Sequence, residues 1–146
     1  MNQFLSTLEL NDYIKEHYIR IIEKEINQEV KLSNLFFTVG TRNSVEGTYI
    51  YSDNSGYNYL YIEKGEVKVH KITTNILHIS YWVVEDIVFN YSIAYATNNK
   101  ITGRDYRRQL FQKEKEIWKN LDSYGYQKKK EEIENILLKN PYVDKV

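Results

Sequence analysis

Apolar side chains recur at Ile14, Tyr18, Ile21, Ile22 and Ile26, the spacing of one helical face. Ser6 and Glu9 stand ahead of that stripe in capping-box relation, and Asn11 is a second candidate cap. The spacing predicts a first helix over about residues 8 to 28. Leu35-Phe36-Phe37-Thr38-Val39, just before Gly40, is too short for periodicity to decide and reads as a strand or a buried loop.

From Thr48 the period changes to two, with turn-forming clusters at Asp53-Asn54-Ser55-Gly56 and Lys64-Gly65. Three antiparallel strands are expected. A two-residue turn at Lys64-Gly65 would set Glu63 opposite Glu66, Ile62 opposite Val67, Tyr61 opposite Lys68, Leu60 opposite Val69 and Tyr59 opposite His70. One face is then aliphatic, carrying Leu60, Ile62, Val67 and Val69. The other carries Tyr57, Tyr59, Tyr61, Lys68 and His70, and a five-residue loop over residues 52 to 56 would add Tyr49 and Tyr51 to it.

Beyond Thr73-Thr74, an N-cap candidate, the chain is apolar around most of a helical circumference through Ile76, Leu77, Tyr81, Trp82, Val84, Ile87, Val88, Tyr91 and Tyr95. This predicts a central buried helix. Thr102 and Asp105 repeat the capping pattern before a helix with Tyr106, Leu110, Phe111, Ile117, Trp118 and Leu121. Asp122 or Ser123 can cap a last helix with Tyr126, Ile133, Ile136 and Leu137 on its stripe, stopped at Asn140-Pro141. Segregated strands and helices define an α+β class: an N-terminal helix, a three-stranded antiparallel meander, then three helices. With 146 residues and no linker or repeat, residues 1–146 are expected to form one domain.

Composition changes this picture in three places. Tyrosine occurs 14 times against a single proline, and its ring can be half buried while its hydroxyl stays wet, which suits amphipathic sheets and protein interfaces. Cysteine is absent, which excludes disulfides, thiolate metal sites and a cysteine nucleophile and fits a reducing cytoplasm. Net charge is zero, yet residues 1–99 hold 8 Lys/Arg and 12 Asp/Glu while residues 100–146 hold 12 and 8. That mild polarity argues against a dedicated nucleic-acid binder. Met1-Asn2-Gln3-Phe4-Leu5-Ser6 lacks the features of a secretory signal, and the most apolar window, residues 76 to 95, is interrupted by His78, Glu85, Asp86 and Asn90, so neither export by that route nor a membrane span is expected.

Candidate chemistry is sparse. His17, His70 and His78 have no second histidine at helical ligand spacing, and no metal or cofactor is expected. Nucleotide-binding glycine loops and the nucleophile elbow are missing. Glu85 and Asp86 are adjacent on a helix, about 100° apart, and cannot converge as an acid–base dyad. Arg104, Arg107 and Arg108 lie with Asp105 at the start of a helix, where cations oppose the dipole unless something negative holds them. Structural ion pairing explains this best, with Arg104 and Arg108 on one face and Glu85 or Asp86 as possible partners. A phosphate or RNA site, or an acidic protein surface, are the other readings. Lys128-Lys129-Lys130 followed by Glu131-Glu132 reads as a solvated face.

The carboxy-terminal two thirds resembles the immunity protein 63 family of bacterial polymorphic toxin systems. The likeness runs through Gly56-Tyr57-Asn58-Tyr59, Glu63-Lys64-Gly65, Thr73-Thr74 and Tyr81-Trp82-Val83 to the most specific block, Asp105-Tyr106-Arg107-Arg108-Gln109-Leu110-Phe111. It closes on Glu132-Ile133, Ile136-Leu137 and Pro141-Tyr142-Val143-Asp144, while Glu114-Lys115-Glu116 departs from the pattern on an expected exposed face. The resemblance implies a cytoplasmic protein encoded beside a secreted toxin that binds the toxin domain and blocks it. It brings no catalytic residues and no toxin contacts.

Physical reading supplies contact candidates instead: Tyr49, Tyr51, Tyr57, Tyr59, Tyr61, Lys68 and His70, since rigid aromatic rings dominate interface hot spots. Packing of the first helix over the same rings is the competing reading. Two other functions stay open, a small hydrolase or nuclease built on Arg104, Arg107 and Arg108 with Asp86 and His78, and an RNA-associated regulatory module. The sequence leaves the oligomeric state undetermined.

Overall fold

In the computed structural model, residues 4–38 and 45–145 are described; Met1, Asn2, Gln3, Val39 and Gly40 of the segments discussed above lie outside them. The chain divides into two compact units, residues 1–83 and 84–146.

The first unit opens on the capping box. Ser6 Oγ accepts from the Glu9 amide at 3.1 Å and Glu9 Oε1 accepts from the Ser6 amide at 2.8 Å, satisfying two otherwise unpaired donors. Helix α1 (Thr7–Ile14) runs through a π-helical turn (Lys15–Ile19) into α2 (Arg20–Ile26), which ends at Asn27 in the left-handed region. The wide turn inserts a residue and rotates everything after it. Ile14, Tyr18 and Ile22 are buried as their spacing predicts, but Leu10 and Ile19 join them while Ile21 and Ile26 stay half-buried.

The strands are β1 (Leu35–Phe37), β2 (Gly47–Asp53), β3 (Gly56–Glu63) and β4 (Glu66–Thr73), in sheet order β1-β2-β3-β4. The sheet is therefore four-stranded and mixed, not a three-stranded meander: β1 pairs parallel with β2, setting Phe36 beside Tyr49. Gly47 makes this possible, because a Cβ there would lie 2.5 Å from the Asn34 carbonyl oxygen. The other pairs are antiparallel.

Two register details rearrange the expected faces. The β2–β3 connection is two residues, Asn54-Ser55, rather than five, so Tyr49 opposes Leu60 and Tyr51 opposes Asn58. A one-residue slip moves a strand's side chains to the other face. Tyr49 is thus completely buried with Leu60 and Ile62, packed by Phe36 and Tyr51. The Lys64-Gly65 turn forms as expected, both residues at positive φ, and Ile62 opposes Val67. Then the ladder shifts at Tyr61/Ile62, pairing Tyr61 with Val69, Leu60 with His70 and Tyr59 with Lys71. This irregularity carries His70 to the Leu60 face and Val69 to the tyrosine face.

Helix α3 (Ile76–Asn98) starts in the first unit and ends in the second. Its cap is Asn75, whose Oδ1 accepts from the Leu77 amide at 2.9 Å, rather than Thr73 or Thr74. It is not buried all round: Asp86, Phe89, Asn90, Ala94 and Thr97 form an exposed stripe, which removes the problem of a buried Asp86.

In the second unit, α4 (Arg107–Leu121) and α5 (Ser123–Lys139) pack on each other, and Ala96, Leu110, Phe111 and Ile133 form a buried cluster with Ile93, Leu137 and Tyr142 against it. Asp122 caps α5 by accepting from the Gly125 amide. Gly125 itself rests on a ring: a Cβ there would sit 2.1 Å from Cε3 of Trp118.

Candidate interaction surface

Strand β4 has no neighbour on its outer edge among the described residues, and every residue from Glu66 to Ile72 is exposed. Val67, Val69 and Ile72 are open apolar groups on it, at 49%, 38% and 49% exposure. An unpaired strand edge is a template for another chain, usually guarded by charge. Here Glu66, Lys68, His70 and Lys71 alternate with the apolar residues, and Lys68 is held by Glu66 at 2.8 Å.

The seven sequence-chosen residues do not share one face. Tyr49 and Tyr57 are buried; Tyr51, Tyr59 and Tyr61 are half-buried; Lys68 and His70 are exposed. The Tyr57 hydroxyl accepts from the Leu5 amide at 3.0 Å, and its ring meets Phe4 edge-on, so the segment ahead of α1 covers this tyrosine. Tyr59 meets Trp82 of α3 edge-on, and Lys71 Nζ lies 4.8 Å from the Tyr59 ring and 4.5 Å from the Trp82 ring, a cation–π contact. Tyr61 is half-buried, with its hydroxyl hydrogen-bonded to Glu63. The charge of the Glu63 carboxylate beside it raises its pKa. On the opposite face, His70 Nε2 pairs with Oδ1 of buried Asn58 at 3.0 Å.

The arginines at the start of α4 build a strap for the chain's end. Arg107 donates bidentately to Asp105, with Nη2 at 2.8 Å from Oδ2, and also to the carbonyls of Asn140 and Pro141, each at 2.9 Å. Arg108 forks onto Asp144 at 3.0 and 2.7 Å, its guanidinium 4.2 Å from the Tyr142 ring centre. Asp105 accepts from the amides of Val143 and Arg107, and the Asp105 amide donates to Asp144. A carboxylate thus sits at the helix start, where the dipole favours it, and the arginines serve the carboxylates. The Arg107 hydrogen bond holds Asp105 far below the ordinary carboxylate range, against the opposing effect of its burial. The Arg108 hydrogen bond lowers Asp144 to about 2. Arg108 pairs with neither Glu85 nor Asp86; Asp86 forms no salt bridge with a described residue.

Glu85 pairs instead with Lys129, a residue the sequence reading placed on a solvated face. Lys129 is buried, with Nζ 3.1 Å from Glu132, 3.4 Å from Glu114 and 3.5 Å from Glu85. Glu114, also expected outside, is buried. Desolvation raises the pKa of both Glu85 and Glu114 against the pull of Lys129. Desolvation lowers that of Lys129, but the three carboxylates outweigh it and the net shift is upward. The missed signal lay in i,i+4 spacing: Gly125, Lys129, Ile133 and Leu137 form one stripe of α5 that runs straight through the lysine.

Among the described residues, no group of three or more His, Asp or Glu is placed to hold a metal, and no helix is long and apolar enough to cross a membrane. No curated protein and no solved structure matches the chain. The elements define an α+β fold whose mixed sheet has β4 at its edge. The sequence model of the Immunity protein 63 family matches residues 53–135, more than half of the chain, and the chain belongs to that family.

Proposed function

We propose that this chain is the immunity partner of a bacterial polymorphic toxin, a cytoplasmic single-domain protein that binds the toxin domain encoded beside it and blocks it without turnover. Family membership supports the class of function. The observation that carries the choice of surface is β4, an edge strand with Val67, Val69 and Ile72 exposed, Val69 being paired with half-buried Tyr61. Strand addition to such an edge supplies main-chain hydrogen bonds for affinity, and the side chains facing the partner supply specificity.

Of the residues first chosen, Tyr61, Lys68 and His70 keep a place on that surface, with Val67, Val69 and Ile72 added. Tyr49 and Tyr57 serve the core. The hydrolase reading loses support because the Arg107 guanidinium is engaged by Asp105 and two carbonyls, and His78 Nδ1 lies 3.1 Å from Thr73 Oγ1.

The test is co-expression with the neighbouring toxin domain. The chain should restore growth and co-elute with the toxin on a sizing column. Failure of both ends the proposal.

A further inference from the structure

In the second unit an open cleft of about 900 Å³ lies between the end of α3, the loop before α4 and the strapped tail, with Ile93, Tyr106 and Val143 as apolar walls. Lys100, Arg104 and Lys145 line it too. A neighbouring cleft of about 450 Å³ shares Lys100, Arg104 and Tyr106. The local acids do not balance these cations. Asp105 is engaged by Arg107, and Asp144 by Arg108 at 2.7 Å, leaving Arg104 a longer 3.6 Å contact with the same carboxylate and its side chain 59% exposed. Among the described residues, Lys100 and Lys145 form no ion pair. The cleft therefore presents positive charge around apolar walls.

We infer that this cleft receives an acidic segment of the partner protein, one that seats an aliphatic or aromatic side chain on Tyr106 and Val143 while its carboxylates meet Lys100, Arg104 and Lys145. Charge complementarity selects the occupant. A nucleic acid would match the cations alone, leaving Ile93 and Val143 without apolar contact, and the chain's zero net charge offers no wider basic track. The inference rests on the immunity reading and adds the chemistry of the toxin surface.

Calorimetric titration of the neighbouring toxin domain into the whole chain tests it, across a salt series, for the wild type, Arg104→Glu and Lys100→Glu. Both side chains are exposed, so melting temperatures should stay unchanged; Lys100→Glu, which breaks no ion pair, serves as the control for folding. Each reversal should raise Kd about tenfold and flatten its salt dependence. Wild-type binding with equal affinity in both variants overturns the inference and leaves the immunity reading standing. No complex with the wild type removes both. Binding of a short single-stranded RNA that the same variants abolish overturns the inference in favour of a nucleic-acid site.

Discussion

Lys129 Nζ lies 3.4 Å from Glu114 Oε2, with 8% of the lysine side chain and 3% of the glutamate exposed. Two charges so withdrawn from water depend on each other. Removing one leaves the other buried and unpaired, which costs about 3–5 kcal/mol, whereas replacing both by apolar groups of similar volume is often neutral or better. Lys129→Ala should therefore lower unfolding stability by roughly that amount in denaturant titration. The double variant Lys129→Met, Glu114→Leu should recover most of the loss. A Lys129→Ala protein as stable as the wild type would show that the cluster is hydrated.

The two sets of carboxylates give opposite pH dependences. Glu85 and Glu114 have pKa values above their ordinary 4.5, so the folded state takes up protons there before the unfolded state and gains stability as pH falls from neutral toward that value. Asp105 and Asp144 are lowered from an ordinary 3.8, so their contribution is complete above that pH and is lost as pH falls toward about 2. Thermal melts should give a stability maximum on the acidic side of neutrality and a fall below about pH 4. Asp144→Asn should flatten the acid limb and leave the neutral limb in place.

Gly125→Ala would ordinarily help a helix by up to about 1 kcal/mol. Here the added methyl meets the Trp118 ring, which is completely buried, and overpacking costs about 1–3 kcal/mol. The expected outcome is net destabilisation in denaturant titration, with altered tryptophan fluorescence.

Val69→Asp and Ile72→Asp alter partly exposed positions of the edge strand, 38% and 49% exposed, so stability should fall by no more than about 1 kcal/mol. Affinity for the toxin domain should fall at least about tenfold in titration, since each places an unpaired charge in the proposed contact.

How far the sequence could be read depended on how local the deciding interaction was. The Ser6 and Glu9 capping box, the Lys64-Gly65 turn and the stop at Asn140-Pro141 each rest on a few neighbouring residues, and each was visible from the pattern. Strand β1 was legible only as one of two readings, strand or buried loop, because three residues carry no period and its partner β2 begins at Gly47. The tyrosine face departs from simple alternation at two places, the short Asn54-Ser55 turn and the register shift at Tyr61/Ile62. Each moves side chains to the other face without changing any local preference. The arginines were recognised as ion-paired from their clash with the helix dipole, but Asp144 is 36 residues from Arg108, and no local signal names such a partner.

Amide hydrogen exchange of the chain with and without the toxin domain tests the central claim most directly. The β4 amides between residues 66 and 73 that point away from β3, at alternate positions of the antiparallel ladder, should exchange freely in the unbound protein and become protected in the complex. A stable complex in which those amides exchange as fast as before would contradict the β4 assignment, and an unchanged pattern over the whole chain would contradict binding itself.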